Sequence, residues 1–278
     1  MSRSIQIACL QTRPMPDCEM AIEEALNLGV EAVVSGAKFL ALPEYCGGLV
    51  TKNGAFAPPH ANEESHKFLK VMREFATKNS VWILIGSIAV SAGRGKYFNR
   101  SFLIDSNGAI VSRYDKVHLF DVNLSEREVY RESDFVVPGG KAVLVNTPFG
   151  VIAHSICYDI RFPNFYRAMC KAGAEIIVVP AAFTKTTGQA HWHLLNRTRA
   201  VENGAFVVAP CAVGAVSGGG ESYGHSLIVN PWGNIIVDGG ENTRVVIGKI
   251  ELSAVKSARS RISSLKHDSD YEISLANS

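Results

Sequence analysis

Short apolar runs and helix-like stretches alternate along the whole chain. Ile5-Gln6-Ile7-Ala8-Cys9-Leu10 reads as an opening strand. Asp17 to Ala37 then reads as a helix, with Asp17 as its N-cap. Lys38 to Leu42 returns to a strand that ends at Pro43-Glu44, and Glu63 to Lys78 is a second helical segment. Val81 to Val90 and Ser101 to Asp105 are rich in β-formers. The turn signal Ser106-Asn107-Gly108 and the run Ala109 to Tyr114 predict a hairpin.

The second half repeats the alternation. Strands are expected at Val143 to Val145, Val151 to Ile156, Ala174 to Val179, Phe206 to Ala209, Ser226 to Val229, Ile235 to Val237 and Val245 to Ile250. Helices are expected at Pro163 to Lys171, Ala190 to Glu202 and Leu252 to Arg261. Leu119 to Gly140 is polar and irregular, and Ser217 to Gly220 reads as a mobile surface loop. Strands in hairpins, alternating with helices, predict an α/β fold of mixed sheets flanked by helices, in one domain without linker or repeat.

Composition narrows the function classes. With 47% hydrophobic and 19% charged residues, the 278-residue chain is globular rather than disordered. A net charge of +2 without a dense Lys/Arg block gives no footprint for nucleic acid or an acidic membrane. No apolar stretch approaches a membrane span, and Met1 to Leu10 is not read as a secretory signal. The six cysteines form no C-x-x-C pair, so reduced thiols in a cytoplasmic enzyme are expected.

Three residues share one context. Glu44, Lys116 and Cys157 each lie at or just beyond the end of a short β run. Ligand chemistry in α/β sheets gathers at the C-terminal ends of strands, and three parallel strands of one sheet would let these side chains converge there. A thiol needs deprotonation to attack. A carboxylate can accept the proton, and an ammonium can favour the thiolate and hold an oxyanion. Singly, each residue has a plainer reading: a cysteine after a strand is usually a small core residue, and an end-of-strand Glu or Lys is usually a solvated charge.

The surrounding residues go further. Ala41-Leu42-Pro43-Glu44, Tyr114-Asp115-Lys116-Val117-His118-Leu119-Phe120 and Ile156-Cys157-Tyr158-Asp159-Ile160-Arg161-Phe162-Pro163 resemble, in order, the three signature segments of the nitrilase superfamily. The resemblance continues through Gly188-Gln189-Ala190-His191-Trp192, Arg199-Ala200-Val201-Glu202-Asn203, Tyr223-Gly224-His225-Ser226 and Asn230-Pro231-Trp232-Gly233, and so covers most of the chain. It implies a four-layer α-β-β-α sandwich over residues 1–262 with a C-terminal tail at 263–278. It also implies a Glu44–Lys116–Cys157 triad, no cofactor or metal, and a homodimer or higher homo-oligomer. The family's second glutamate matches Glu132 in Tyr130-Arg131-Glu132-Ser133, with Glu126 and Glu128 close by.

Tyr158-Asp159 after the cysteine resembles the amidase branch that includes omega-amidase and deaminated glutathione amidase; true nitrilases have Trp-Glu there. The Lys266-His267-Asp268 segment departs from that branch's arginine-rich ending. The implied substrate is a small carboxylate-bearing amide. Tyr158 would offer an oxyanion N–H and a ring wall, Arg161 would pair with a substrate carboxylate, and Phe183 and Thr184 would line the pocket. N-carbamoyl amide hydrolysis and nitrile hydrolysis are the alternatives on the same fold, and a catalytically silent binding or scaffold protein is the alternative of another class. A metal hydrolase built on His191-x-His193 is disfavoured, because a spacing of two puts the side chains on different sides of a helix. The Ser217–Glu221 stretch lacks both glycine-rich phosphate-binding patterns.

Overall fold

A computed structural model of the chain describes residues 4–52, 54–124 and 129–276. The first half contributes β1 (Ser4–Gln11), α1 (Cys18–Val34), β2 (Phe39–Ala41), α2 (Lys67–Asn79), β3 (Trp82–Gly93), β4 (Lys96–Ile104) and β5 (Ile110–Asp115). The second contributes β6 (Leu144–Thr147), β7 (Gly150–Ala153), α3 (Pro163–Lys171), β8 (Ile176–Val178), α4 (His193–Asn203), β9 (Phe206–Ala209), β10 (Leu227–Val229), β11 (Ile235–Asp238), β12 (Arg244–Glu251) and α5 (Ser253–Arg261).

The strands form two mixed sheets. The first runs β12-β1-β2-β3-β4-β5, with His60–Ala61 added beside β3; the second runs β6-β7-β8-β9-β10-β11. Each sheet has a parallel centre, β1-β2-β3 and β7-β8-β9, flanked by antiparallel strands.

Side-chain alternation with period two sorts the strands into three apolar layers. In β1, Ala8 and Leu10 join α1 and α2 in one core, while Ile5, Ile7 and Cys9 face the other sheet. In β8 and β9, Ile177 and Val207 join the core under α3 and α4, while Ile176, Val178, Phe206 and Val208 fill the layer between the sheets. The result is the α-β-β-α sandwich. The central strands are buried on both faces, which is why they read as continuous apolar runs.

Several boundaries differ from the expected ones, for local reasons. Asp17 caps α1, accepting the Met20 N–H at 2.9 Å, but the helix stops at Val34 because Gly36 turns the chain at φ 87°. The segment from Glu63 is a 3₁₀ turn, Glu63–Ser65, separated from α2 by the extended His66. Helical structure before α4 starts at Lys185 and passes through a π-helical turn at Gly188–Trp192. The irregular Leu119–Gly140 stretch contains the strand pair Asp121–Asn123 and Val129–Arg131, then a 3₁₀ turn at Glu132–Asp134. The glycine-rich Ser217–Gly220 loop is tied down: Thr51 donates its N–H to the Ser217 carbonyl at 2.8 Å and its hydroxyl to Gly219 at 2.9 Å.

Ile7 is fully buried between the sheets. Ile7→Ala should destabilise the fold by about 2–5 kcal/mol, because it leaves a cavity in a layer that two sheets hold open. Urea unfolding checks this; a change under about 0.5 kcal/mol would mean that the inter-sheet layer relaxes freely.

Candidate active site

Glu44 owes its position to a close crossing of three segments. At Gly86 a Cβ would come within 2.0 Å of the Leu42 carbonyl oxygen and 2.5 Å of the Pro180 ring, so only glycine lets β3 pass there. The register of β3 against β4 shifts at this point, between Ile85 and Ile88. The displaced Ser87 accepts the Tyr45 N–H on its hydroxyl at 2.9 Å and the Cys46 N–H on its carbonyl at 3.0 Å. Glu44 is thereby carried just past the end of β2 and into the protein.

Lys116 follows β5, whose chain is pinned by Lys116 N–H to the Asn99 carbonyl at 3.0 Å and Gly139 N–H to the Lys116 carbonyl at 2.8 Å. Its ammonium lies 2.8 Å from Glu44 Oε1 and 2.9 Å from Glu132 Oε2. The Asn99 amide donates to Glu44 Oε1 at 2.9 Å and to Glu132 Oε1 at 3.0 Å. Glu132 also accepts the Tyr45 hydroxyl at 3.1 Å and the Phe120 N–H at 2.6 Å. Ala182 N–H, beyond β8 in the second sheet, reaches Glu44 Oε2 at 3.0 Å.

Cys157 sits in a strained turn after β7, with φ 46°. Its N–H donates to the Pro180 carbonyl at 2.9 Å. Asp159 closes the turn from within. One of its oxygens accepts the Ile156 N–H at 2.8 Å and the Tyr114 hydroxyl at 2.6 Å. The other accepts the His118 N–H at 3.0 Å and faces His118 Nδ1 at 2.7 Å. The His118 ring in turn stacks on Phe162 with centroids 3.6 Å apart. No acceptor for the Tyr158 N–H is found among the described residues, so that donor is available.

These groups line one cavity, walled by Phe56, Phe120, Tyr158, Phe183 and Thr184 around Glu44, Lys116, Glu132 and Cys157. Lys116 is 2% exposed, Glu44 4%, Glu132 8% and Cys157 8%, so the cluster has little water to screen it. Burial alone would favour a neutral Lys116, yet Glu132 and Glu44 outweigh it and hold its pKa well above the ordinary range. Burial pushes the Cys157 thiol well up, and the Glu44 carboxylate adds to this more than Lys116 offsets it. The resting site therefore carries a protonated thiol beside a carboxylate, with a cation held behind them.

The three strand ends meet, but not in one parallel sheet. β2 and β5 belong to the first sheet and β7 to the second, so the thiol faces the carboxylate and ammonium across the sandwich. Glu132, Tyr158, Phe183 and Thr184 line the cavity; Glu126 and Glu128 lie outside the described residues. Arg161 does not line the cavity. Its guanidinium lies 5.9 Å from the Tyr158 ring centre and 5.6 Å from that of Phe183, with Nη2 3.3 Å from His191 Nδ1. No carboxylate pairs with it among the described residues. Asn99 and Tyr45 were not singled out in the sequence, although an Asn inside the β run Lys96–Ile104 is a residue type that strands disfavour.

If Glu44 is what deprotonates Cys157, alkylation by neutral iodoacetamide should show no titration step near the ordinary thiol pKa of about 8.5. Glu44→Gln should slow it by roughly tenfold or more. A sigmoidal rise near that pH, unchanged in the variant, would mean that the thiol ionises on its own.

The carbon-nitrogen hydrolase family model matches residues 6–260. The chain is 39% identical over 268 residues to a deaminated glutathione amidase of Synechocystis, covering 94% of this chain and 96% of that one. It is 31% identical to human omega-amidase NIT2, covering 93% of each. Among solved structures, it superposes on the Caenorhabditis elegans NitFhit protein with a TM-score of 0.87 at 30% identity, over 96% of this chain and 65% of that longer one. It superposes on Saccharomyces cerevisiae Nit3, described as a member of branch 10 of the nitrilase superfamily, with a TM-score of 0.79 at 25% identity, over 94% of each. With the match running from the first strand to the last helix, the chain belongs to the carbon-nitrogen hydrolase family, within the nitrilase superfamily.

Proposed function

We propose that the cavity hydrolyses the terminal amide of a small carboxylate-bearing metabolite, as an amidase of the deaminated glutathione amidase or omega-amidase type. The observation that carries this reading is the junction of Cys157 with Glu44 and Lys116 in one aromatic-walled cavity.

In the first step Glu44 takes the thiol proton as the Cys157 sulfur attacks the amide carbon. An ionised carboxylate offers about four acceptor sites. Lys116, Asn99 and Ala182 occupy three on Glu44, leaving one for the thiol. The ammonium has three N–H groups. One goes to Glu44 and one is shared by the two Glu132 oxygens, at 2.9 and 3.1 Å, which leaves a third for the developing oxyanion. The free Tyr158 N–H is the second oxyanion donor. Glu44 then protonates the departing nitrogen, ammonia leaves, and the acyl group stays on sulfur as a thioester. Water, deprotonated by Glu44, attacks the thioester and releases the acid and the thiol. Glu132 holds Lys116 in place and would position the amide nitrogen or the water.

The substrate carboxylate is assigned to Arg161, whose guanidinium lies behind the Tyr158 and Phe183 rings and would have to reach between them. N-carbamoyl compounds and nitriles would use the same thiol but do not need that cation. No described helix is long and apolar enough to cross a membrane; a cytoplasmic location is proposed from the reduced-thiol composition. A homodimer or higher homo-oligomer would pair through α4, where Leu194 and Val201 are exposed.

Cys157→Ala should abolish ammonia release from amides of small dicarboxylic and keto acids, with the circular dichroism spectrum unchanged. Glu44→Gln should lower kcat by about 10²–10⁴-fold. Full turnover in Cys157→Ala would end the thioester mechanism. Arg161→Met should raise KM for carboxylate-bearing amides by about tenfold or more while leaving neutral amides little affected, as loss of a charge-assisted pair would. Equal effects on both classes would assign Arg161 a packing role.

A further inference from the structure

A second cluster of chemically capable side chains lies away from the cavity. His193 opens α4, His225 immediately precedes Ser226 and β10, and Asp238 ends β11. The Asp238 carboxylate is bracketed by two imidazoles. His193 Nε2 lies 2.9 Å from its Oδ2, and His225 Nδ1 lies 2.8 Å from Oδ1 and 3.1 Å from Oδ2. One ligand atom from each residue falls within 4.8 Å of the others, and among the described residues no other trio of His, Cys, Asp or Glu does this.

We propose that His193, His225 and Asp238 bind one divalent transition ion of the zinc class. Two imidazole nitrogens and one carboxylate oxygen form a borderline donor set that suits zinc, whereas calcium and magnesium call for oxygen ligands. Bonds of about 2.0–2.1 Å in a tetrahedral site place neighbouring donor atoms roughly 3.3 Å apart. The two histidine–aspartate separations, 2.9 and 3.1 Å, are already close to that. The remaining rearrangement is confined to the two imidazoles, which start no more than 4.8 Å apart.

The rings are held where an ion would need them. Tyr223 stacks on His225 with centroids 4.5 Å apart and meets His193 edge-on at 6.0 Å. Trp192 Nε1 donates to the His225 carbonyl at 2.7 Å, which ties that backbone to the residue preceding His193. A Glu241 oxygen lies 3.8 Å from His225 Nε2, the nitrogen that would not face the ion. A carboxylate behind a ligating imidazole holds the proton on the far nitrogen and frees the near one for metal. His193 and Asp238 are each about one-third exposed, at 32% and 33%, so an ion and a completing water can reach them.

Without an ion the same groups satisfy one another by hydrogen bonds. Metal binding requires each ring to present an unprotonated nitrogen to the ion, with its proton on the other nitrogen. None of the three residues lines the cavity that holds Cys157, so the ion is structural. It would fasten the start of α4 to the β10–β11 hairpin. The site stands independently of the amidase reading.

The test uses the full chain carrying Cys157→Ala, so that the cavity thiol cannot capture metal. Calorimetric titration with zinc chloride should find one ion per chain. Cobalt(II) should give the visible bands of a tetrahedral nitrogen–oxygen site without thiolate charge-transfer absorption. His193→Gln and Asp238→Asn should each weaken binding by tenfold or more, while His191→Gln should leave it unchanged. Saturating zinc should raise the melting temperature of the parent and not of those two variants. Should either variant fail to fold, the other and His225→Asn carry the comparison. Equal zinc affinity in parent and variants, thiolate bands with cobalt, or no binding at millimolar zinc would each overturn the proposal.

Discussion

The buried ammonium of Lys116 between the carboxylates of Glu44 and Glu132 is the constraint around which this molecule is arranged. Three formal charges in a nearly dry pocket are tolerable only if the attraction is close and the remaining hydrogen-bonding capacity is filled. The chain meets both conditions. Contacts of 2.8 and 2.9 Å supply the attraction, and Asn99, Tyr45, Phe120 N–H and Ala182 N–H supply the donors. The remaining imbalance is one negative charge, and it lies beside the thiol. Burial first, and that placement second, push the Cys157 thiol up, so the nearest carboxylate adds to what desolvation already does.

Such a cluster cannot be carried by one sheet. Glu44 and Lys116 extend from the ends of β2 and β5, but the fourth donor to the carboxylates, Ala182, and the proposed nucleophile Cys157 belong to the second sheet. The two halves are joined at Pro180, whose carbonyl accepts the Cys157 N–H and whose ring packs against Gly86 of β3. The spacing between sulfur and carboxylate is thus set by how closely the two sheets pack. The inter-sheet layer of Ile7, Val178, Val208 and Ile228 is therefore both core and positioning device for the site.

Much of this was legible in the residues. The apolar runs of the central strands are visible as a pattern, and so are the strand ends at Glu44, Lys116 and Cys157; the alternation that separates Ile7 from Ala8 and Ile176 from Ile177 is not, because both residues of each pair are apolar. Which sheet each strand joins was not, because a doubly buried strand has the same apolar signature in either sheet. Asn99 was hidden for a related reason. The expected strand begins only at Ser101, so Asn99 falls outside it, and its importance comes only from the two carboxylates that distant segments bring beside it. His193 shows the same limit. A spacing of two separates it from His191 as a ligand pair, and its actual partners come from residues 225 and 238.

Asp159 shows how far the chemistry depends on groups that never face the cavity. Its two oxygens meet four partners: the Ile156 N–H, the Tyr114 hydroxyl, the His118 N–H and the His118 ring. Tyr114 and His118 flank Lys116 in sequence, and Ile156 precedes Cys157. One buried carboxylate therefore fixes the two segments that carry the cation and the nucleophile relative to each other. It also helps stabilise a non-glycine residue at positive φ, a conformation costing of order 1–3 kcal/mol that must be compensated elsewhere in the fold. That strained turn brings the sulfur to Glu44, while the next N–H has no acceptor among the described residues. In the proposed mechanism, the same local geometry would serve both the attacking atom and the donor for the charge that its attack creates.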